Sequence, residues 1–163
     1  MIRRFPLILV CVCMMALIMT DTAISGIEDA YEPDDTPGLA SLIENGIPQP
    51  YPHSLHNNAD VDFVYFPGDG DSSIRLETSG PADSDTFLVL LDSDGSTWIA
   101  QDDDTGSGSY SLITRNCSNE RLPEGTYYAR VSGINEIDEY HISFVATACQ
   151  YTEFLYLPVA NKP

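Results

Sequence analysis

From Asp60 onward the chain repeats one pattern. Short runs of apolar or alternating residues are separated by clusters of Gly, Pro, Asp, Asn and Ser. The runs are DFVYF, SIRLETS, TFLVLL, STWIAQ, SYSLITRNC, TYYARVS and EYHISFVA. In SIRLETS, Ile74, Leu76 and Thr78 fall on one face, the period-2 signature of a half-buried strand. TFLVLL is apolar on both faces, as a strand central to a sandwich must be. The separators Pro67-Gly68-Asp69-Gly70, Asp92-Ser93-Asp94-Gly95, Asp102 to Gly108, Leu122-Pro123-Glu124-Gly125 and Gly133 to Asp138 carry turn chemistry. Seven or eight short strands at this spacing predict an all-β fold, an antiparallel β-sandwich.

Upstream of Asp60 the pattern changes. Thr36 followed by Pro37 has the form of an N-cap and first helical residue, so one short N-terminal helix is predicted from Pro37 to Glu44, stopped by Asn45-Gly46. IPQPYPHS contains three prolines and reads as an edge or a loop. Residues 1–25 have the form of a secretory signal peptide: Arg3 and Arg4, an apolar run from Phe5 to Met19, and small residues Ala23 and Ser25 before Gly26. The run is short of the roughly 20 residues that span a bilayer; an uncleaved N-terminal anchor is the alternative. Cys11 and Cys13 lie inside the apolar run, without the small residue a lipidation signal places before its cysteine. The expected organisation is a signal peptide over 1–25, one sandwich domain over 26–149 and a short tail over 150–163. In that tail Leu157-Pro158 begins like a sortase signal, but Thr-Gly does not follow.

Composition sharpens the picture. Among 163 residues, 25 are acidic and 7 basic, a net charge of −18. That balance excludes binding nucleic acid through its phosphates and disfavours anionic lipid surfaces. It favours cations. Loss of the signal segment would leave Cys117 and Cys149 as an even pair in an oxidising compartment, which favours a disulfide over two buried thiols. There is no CxxC motif or Cys/His cluster, so zinc is not expected.

The acidic residues gather in three groups: Glu32-Pro33-Asp34-Asp35, Asp60-Val61-Asp62, and Asp83 and Asp85 with Asp102-Asp103-Asp104. A hairpin would bring Asp85 near Asp102. Calcium takes 6–8 oxygen ligands from irregular backbone of this kind, whereas a solvated acidic surface needs no ion. An EF-hand placed on Gly95 fails, because Leu90 and Gln101 fall where carboxylates are required. The histidines His53, His56 and His141 form no catalytic pattern; His53 and His56 sit three apart in a Pro-rich segment rather than on a helix, and His141 reads as surface. No nucleophile elbow, zinc-protease helix or phosphate loop is present, so a non-catalytic protein is expected. Tyr51, Trp98 and Tyr110 fall near strand ends or loops, where aromatic faces stack on sugars or pack on a partner. Of the adjacent Tyr127 and Tyr128, at least one faces the core.

AYEPDDTPGLASLI, ADVDFVYF, SDTFLVLLDSDG, IAQDDDTGSGSYSLI, LPEGTYYARV and EYHISF occur in an order that resembles the bacterial pre-peptidase C-terminal (PPC) domain family, related to the collagen-binding domains of bacterial collagenases. The resemblance covers roughly residues 28–146. It implies a jelly-roll-like sandwich appended to exported enzymes, and a structural calcium ion where the N-terminal linker meets the sandwich. Carried onto this chain, that site is Glu32, Asp34, Asp35, Asp60 and Asp62, with a possible second metal cluster at Asp85, Asp102 and Asp103. Asp34 stands where the family often has Asn, and Phe63 where it often has Trp. PPC domains usually follow a catalytic domain, and none is evident here. The expectation is a secreted bacterial accessory or binding module, stabilised by calcium. Its partner would be an extracellular protein or polysaccharide, with no nucleic acid and no membrane insertion of the mature chain. The alternative is a carbohydrate- or protein-binding cell-surface module without functional calcium.

Overall fold

The computed structural model describes residues 26–150. Among the described residues there are nine strands and no helix. In chain order they are β1 (Ser41–Leu42), β2 (His53–Leu55), β3 (Asp62–Asp69), β4 (Ser72–Ser79), β5 (Thr86–Leu91), β6 (Trp98–Asp102), β7 (Leu112–Arg115), β8 (Glu124–Gly133) and β9 (Ile137–Ala148). They form two sheets, one ordered β1-β3-β8-β5-β6 and the other β2-β9-β4-β7. The signal-peptide reading of residues 1–25, and the tail beyond Gln150, lie outside the described residues.

The sandwich core follows from period-2 alternation. Val64 and Phe66 of β3, Leu88 and Leu90 of β5, and Ala129 and Val131 of β8 face inward from one sheet. Ile74 and Leu76 of β4, Ile113 of β7, and Tyr140, Ile142 and Phe144 of β9 meet them from the other. TFLVLL is buried on both faces because the five-stranded sheet has a second apolar patch outside. There Phe63, Val89 and Leu91 are covered by Ala40, Val61, Phe87 and Tyr128. The linker before β1 therefore lies against the sheet rather than away from it. At one end of the sandwich a buried hydroxyl cluster joins the sheets. Thr78 of β4 and Thr86 of β5 share a 2.6 Å hydrogen bond, and Ser111 donates its backbone N–H to Thr78 and its hydroxyl to the Thr86 carbonyl.

Two expectations are corrected. The helix over Pro37–Glu44 does not form. Thr36–Leu39 closes a turn, and Ser41–Leu42 then pairs in parallel with Val64–Tyr65, so the sheet is not wholly antiparallel. A segment this short, with Gly38 in its first turn, gains too little from helical propensity alone. Joining β3 buries Ile43 in the core instead, while its neighbour Leu42 stays exposed. The strand count is nine rather than seven or eight, because the two- and three-residue strands β1 and β2 carry too little pattern to be legible. β2 does occupy a sheet edge, as its proline-rich surroundings require. DFVYF also continues through Pro67 to Asp69. Since β1 covers only Val64 and Tyr65, Pro67 has no strand beside it on that edge of β3.

Cys117 and Cys149 are joined by a disulfide that closes a 32-residue separation and ties the loop after β7 to the end of β9. Tyr127 is the buried member of its pair. Among the described residues no helix is long and apolar enough to cross a membrane.

Candidate metal centre

The linker, β2 and the mouth of β3 converge on one acidic pocket. Three backbone anchors fix the linker there: the Gly26 N–H donates to the His56 carbonyl, the Ser54 hydroxyl donates to the Ile27 carbonyl, and the Phe63 N–H donates to the Asp34 carbonyl. Asp29 accepts from the backbone N–H groups of Tyr31 and Ser54, through one oxygen each. These contacts deliver Asp29, Glu32 and Asp34 to Asp60 and Asp62, which precede and open β3.

Within this pocket the side chains interlock as three groups, each with ligand atoms lying within 4.8 Å of one another: Glu32, Asp34 and Asp62; Glu32, His56 and Asp60; and Asp29, His53 and Asp62. Asp34, Asp60 and Asp62 are buried. Among the described residues neither carboxylate oxygen of Asp34 has a hydrogen-bond donor, and one oxygen each of Asp60 and Asp62 also lacks one. The Tyr140 hydroxyl, itself fully buried, donates to the other Asp62 oxygen at 2.6 Å. The His56 backbone N–H donates to Asp60 at 2.7 Å, and His56 Nδ1 lies 2.5 Å from the same oxygen and 3.1 Å from Glu32.

The electrostatics follow from crowding anions away from water. Burial, reinforced by the charges of Glu32, Asp29, Asp60 and Asp35, pushes the Asp34 carboxyl up to about 8. Burial pushes Asp62 up to about 9; the Tyr140 hydrogen bond opposes this, and Asp34, Asp60 and Asp29 add to it. Glu32 and Asp60 are raised by the same desolvation, partly offset by backbone N–H donors from Asp34 and His56 respectively. Burial holds the His53 imidazole down, to about 4, against the pull of Asp29. A buried carboxylate without donors must either take up a proton or neutralise its charge on a cation.

The structure thus brings Glu32, Asp34, Asp60 and Asp62 together. Asp35 is exposed, but near enough for its charge to be felt by its neighbours. Asp29, His53 and His56 belong to the same cluster and were not read from the sequence. The available signal was their flanking position: Asp29 three residues before Glu32, and HSLH a few residues before Asp60-Val61-Asp62. Requiring a helix to align the two histidines obscured it.

At the second acidic cluster, Asp85 meets Asp103 and Asp104. Asp102 turns elsewhere: its carboxylate accepts from the Thr105 hydroxyl and from the backbone N–H groups of Thr105 and Leu112, shaping the loop after β6. Asp103 and Asp104 are exposed, so water satisfies them, although burial and these two neighbours raise the Asp85 carboxyl. Of the aromatic candidates, Tyr51 and Trp98 are more than half exposed, whereas Tyr110 is buried and donates its hydroxyl to the Pro81 carbonyl. Tyr110 therefore offers no stacking face. His141 is exposed on β9.

Residues 60–133 match the family described as the bacterial pre-peptidase C-terminal domain. No curated protein sequence matches the chain. Among solved structures, the fold is similar to the pre-peptidase C-terminal domain of a collagenase from Bacillus anthracis, with a TM-score of 0.50 and 18% sequence identity, over 64% of this chain and 93% of that one.

Proposed function

We propose that this protein is a secreted, non-catalytic accessory module of the pre-peptidase C-terminal type, whose N-terminal linker is latched to the sandwich by calcium. The observation that carries the calcium reading is the buried carboxylate of Asp34, with both oxygens lacking donors and Glu32 and Asp62 beside it. Hard oxygen donors in irregular backbone suit calcium. A bound divalent ion would replace the mutual repulsion of these groups with attraction, and so hold the linker on β3. Glu32, Asp34, Asp60 and Asp62 would hold the ion, with Asp35 as the exposed outer carboxylate of the set. A resident ion of this kind supplies structure rather than chemistry, in keeping with a module that binds an extracellular protein or polysaccharide.

Thermal unfolding with calcium, with magnesium and with chelator tests this reading. Free calcium at about 1,000 times its dissociation constant stabilises by roughly 4 kcal/mol, a melting shift of about ten degrees or more at this size. A calcium-specific shift abolished by Asp34→Asn combined with Asp62→Asn supports the latch; identical melting in calcium and chelator overturns it.

A second reading has its own observation. Trp98, on the edge strand β6, is 54% exposed and tilted against Phe87 at 6.4 Å between ring centroids. An exposed indole at a sheet edge is suited to stack on a sugar ring or dock a partner. Discrete hits on a glycan array that vanish with Trp98→Ala would favour a carbohydrate-binding surface over the latch as the protein's main task.

A further inference from the structure

His53 is held rigidly at the wall of the acidic pocket. Its side chain is fully buried, and its ring lies between two tyrosines, stacked on Tyr31 at 4.3 Å and on Tyr140 at 5.3 Å between centroids. Its tautomer follows from the groups around it. Gln49 directs its amide nitrogen at the Ser41 hydroxyl and the Leu42 carbonyl, and a carbonyl can only accept, so Gln49 presents Oε1 to the ring. That oxygen lies 2.7 Å from His53 Nε2, so Nε2 carries the proton and donates it. In the neutral ring Nδ1 is then a bare lone pair.

This lone pair faces the acidic pocket. Among the described residues Nδ1 has no hydrogen-bond partner, and three carboxylate oxygens surround it: Asp62 at 3.7 Å, Asp34 at 3.8 Å and Asp29 at 4.0 Å. These separations are too long for hydrogen bonds. They are a few tenths of an ångström wider than the roughly 3.4 Å between ligand atoms that tetrahedral zinc, with bonds of about 2.0–2.2 Å, requires. A ring whose far nitrogen donates to an amide oxygen, and whose near nitrogen points bare at carboxylates, is the arrangement of a metal-bound histidine with its orienting outer partner.

We propose that His53 Nδ1, with the carboxylates of Asp29 and Asp62, whose ligand atoms lie within 4.8 Å of one another, forms a mixed nitrogen–oxygen site for a divalent transition metal of the zinc type. Calcium takes oxygen ligands, whereas imidazole suits zinc and its neighbours. The site shares Asp62 with the calcium latch but does not depend on it. Five clustered carboxylates, from Asp29, Glu32, Asp34, Asp60 and Asp62, carry more negative charge than one divalent ion neutralises. Gln49 is a positioning residue, acting only through the ring.

The test is a zinc titration of the full chain in millimolar calcium, with the histidines labelled with nitrogen-15 and the ring resonances followed by NMR. The expected result is one zinc equivalent retained in calcium, with His53 Nδ1 changing from a bare to a metal-bound nitrogen while Nε2 keeps its proton. His53→Gln should weaken zinc binding by about 100-fold or more, and Gln49→Met by about 10-fold, as loss of an outer partner does. If His53→Gln does not fold, the wild-type ring resonances and Gln49→Met decide alone. An Nδ1 resonance indifferent to zinc, or an Nδ1 that already holds a proton zinc does not displace, overturns the proposal. So does zinc affinity unchanged in His53→Gln. Calcium-dependent melting of the same proteins separates the two readings: zinc coordination by His53 without a calcium shift removes the latch and leaves this site standing.

Discussion

Binding of calcium should expel protons, and the number can be worked from the pocket. With Asp34 held up at about 8 and Asp62 at about 9, the ion-free protein at pH 7 carries about 0.9 of a proton on the first carboxyl and nearly a full proton on the second. A cation is held by the ionised forms, so each binding event should release about two protons. The apparent affinity should therefore fall by up to about 100-fold for each unit the pH drops below about 8. Calorimetric titration with calcium at pH 7, in buffers of different ionisation enthalpy, measures the proton count directly. Asp34→Asn removes one of the two groups and should reduce the count to about one. Calcium binding that releases no protons would refute the reasoning. It would mean that the carboxylates are already ionised without the ion, and that burial does not control them.

Three further outcomes are expected. Without divalent ions, stability should fall as pH rises from about 4 to 8. Asp34 and Asp62 hold protons in the folded state that the unfolded chain releases near 3.9, so their contribution is present at low pH and lost as pH climbs through 8 and 9. His53, lowered to about 4 from an ordinary 6.5, opposes that slope only between about 4 and 6.5, so the fall should steepen above about 6.5; a flat profile in chelator would contradict this. Tyr140→Phe leaves a buried Asp62 oxygen without its donor and should cost about 1–3 kcal/mol in urea unfolding of the ion-free protein; a neutral effect would mean the hydroxyl is dispensable. Opening the Cys117–Cys149 disulfide frees a loop of 32-residue separation and should cost about 4 kcal/mol in the chain-entropy model, measured by unfolding under reducing and non-reducing conditions.

The sequence alone determined the sandwich, because strands announce themselves locally. Alternation in SIRLETS, the two-sided apolar run TFLVLL and the turn clusters between them each specify conformation within a few residues, and the core that results is the one those patterns imply. Residue order showed Glu32, Asp34 and Asp35 and then Asp60 and Asp62 as two separate acidic groups, and only the resemblance to the pre-peptidase C-terminal family joined them into one site. What only the tertiary structure decided depends on contacts distant in the chain. Pro37–Glu44 has the cap of a helix, yet the edge of β3 offers Ile43 a buried place, and that outweighs a weak local preference. Asp102 sits in the right run of acids, but backbone donors from Thr105 and Leu112 turn its carboxylate to loop building, and Asp104 meets Asp85 instead. His53 lies in a proline-rich stretch with no helical spacing. The placement of its ring arises because Gln49 fixes one ring nitrogen, two tyrosines hold the ring plane, and a linker about twenty residues upstream lays Asp29 and Asp34 against the other nitrogen. Local pattern sets backbone conformation because its energies are short-ranged; a ligand set is a coincidence of side chains in space, which exists only once the chain has folded.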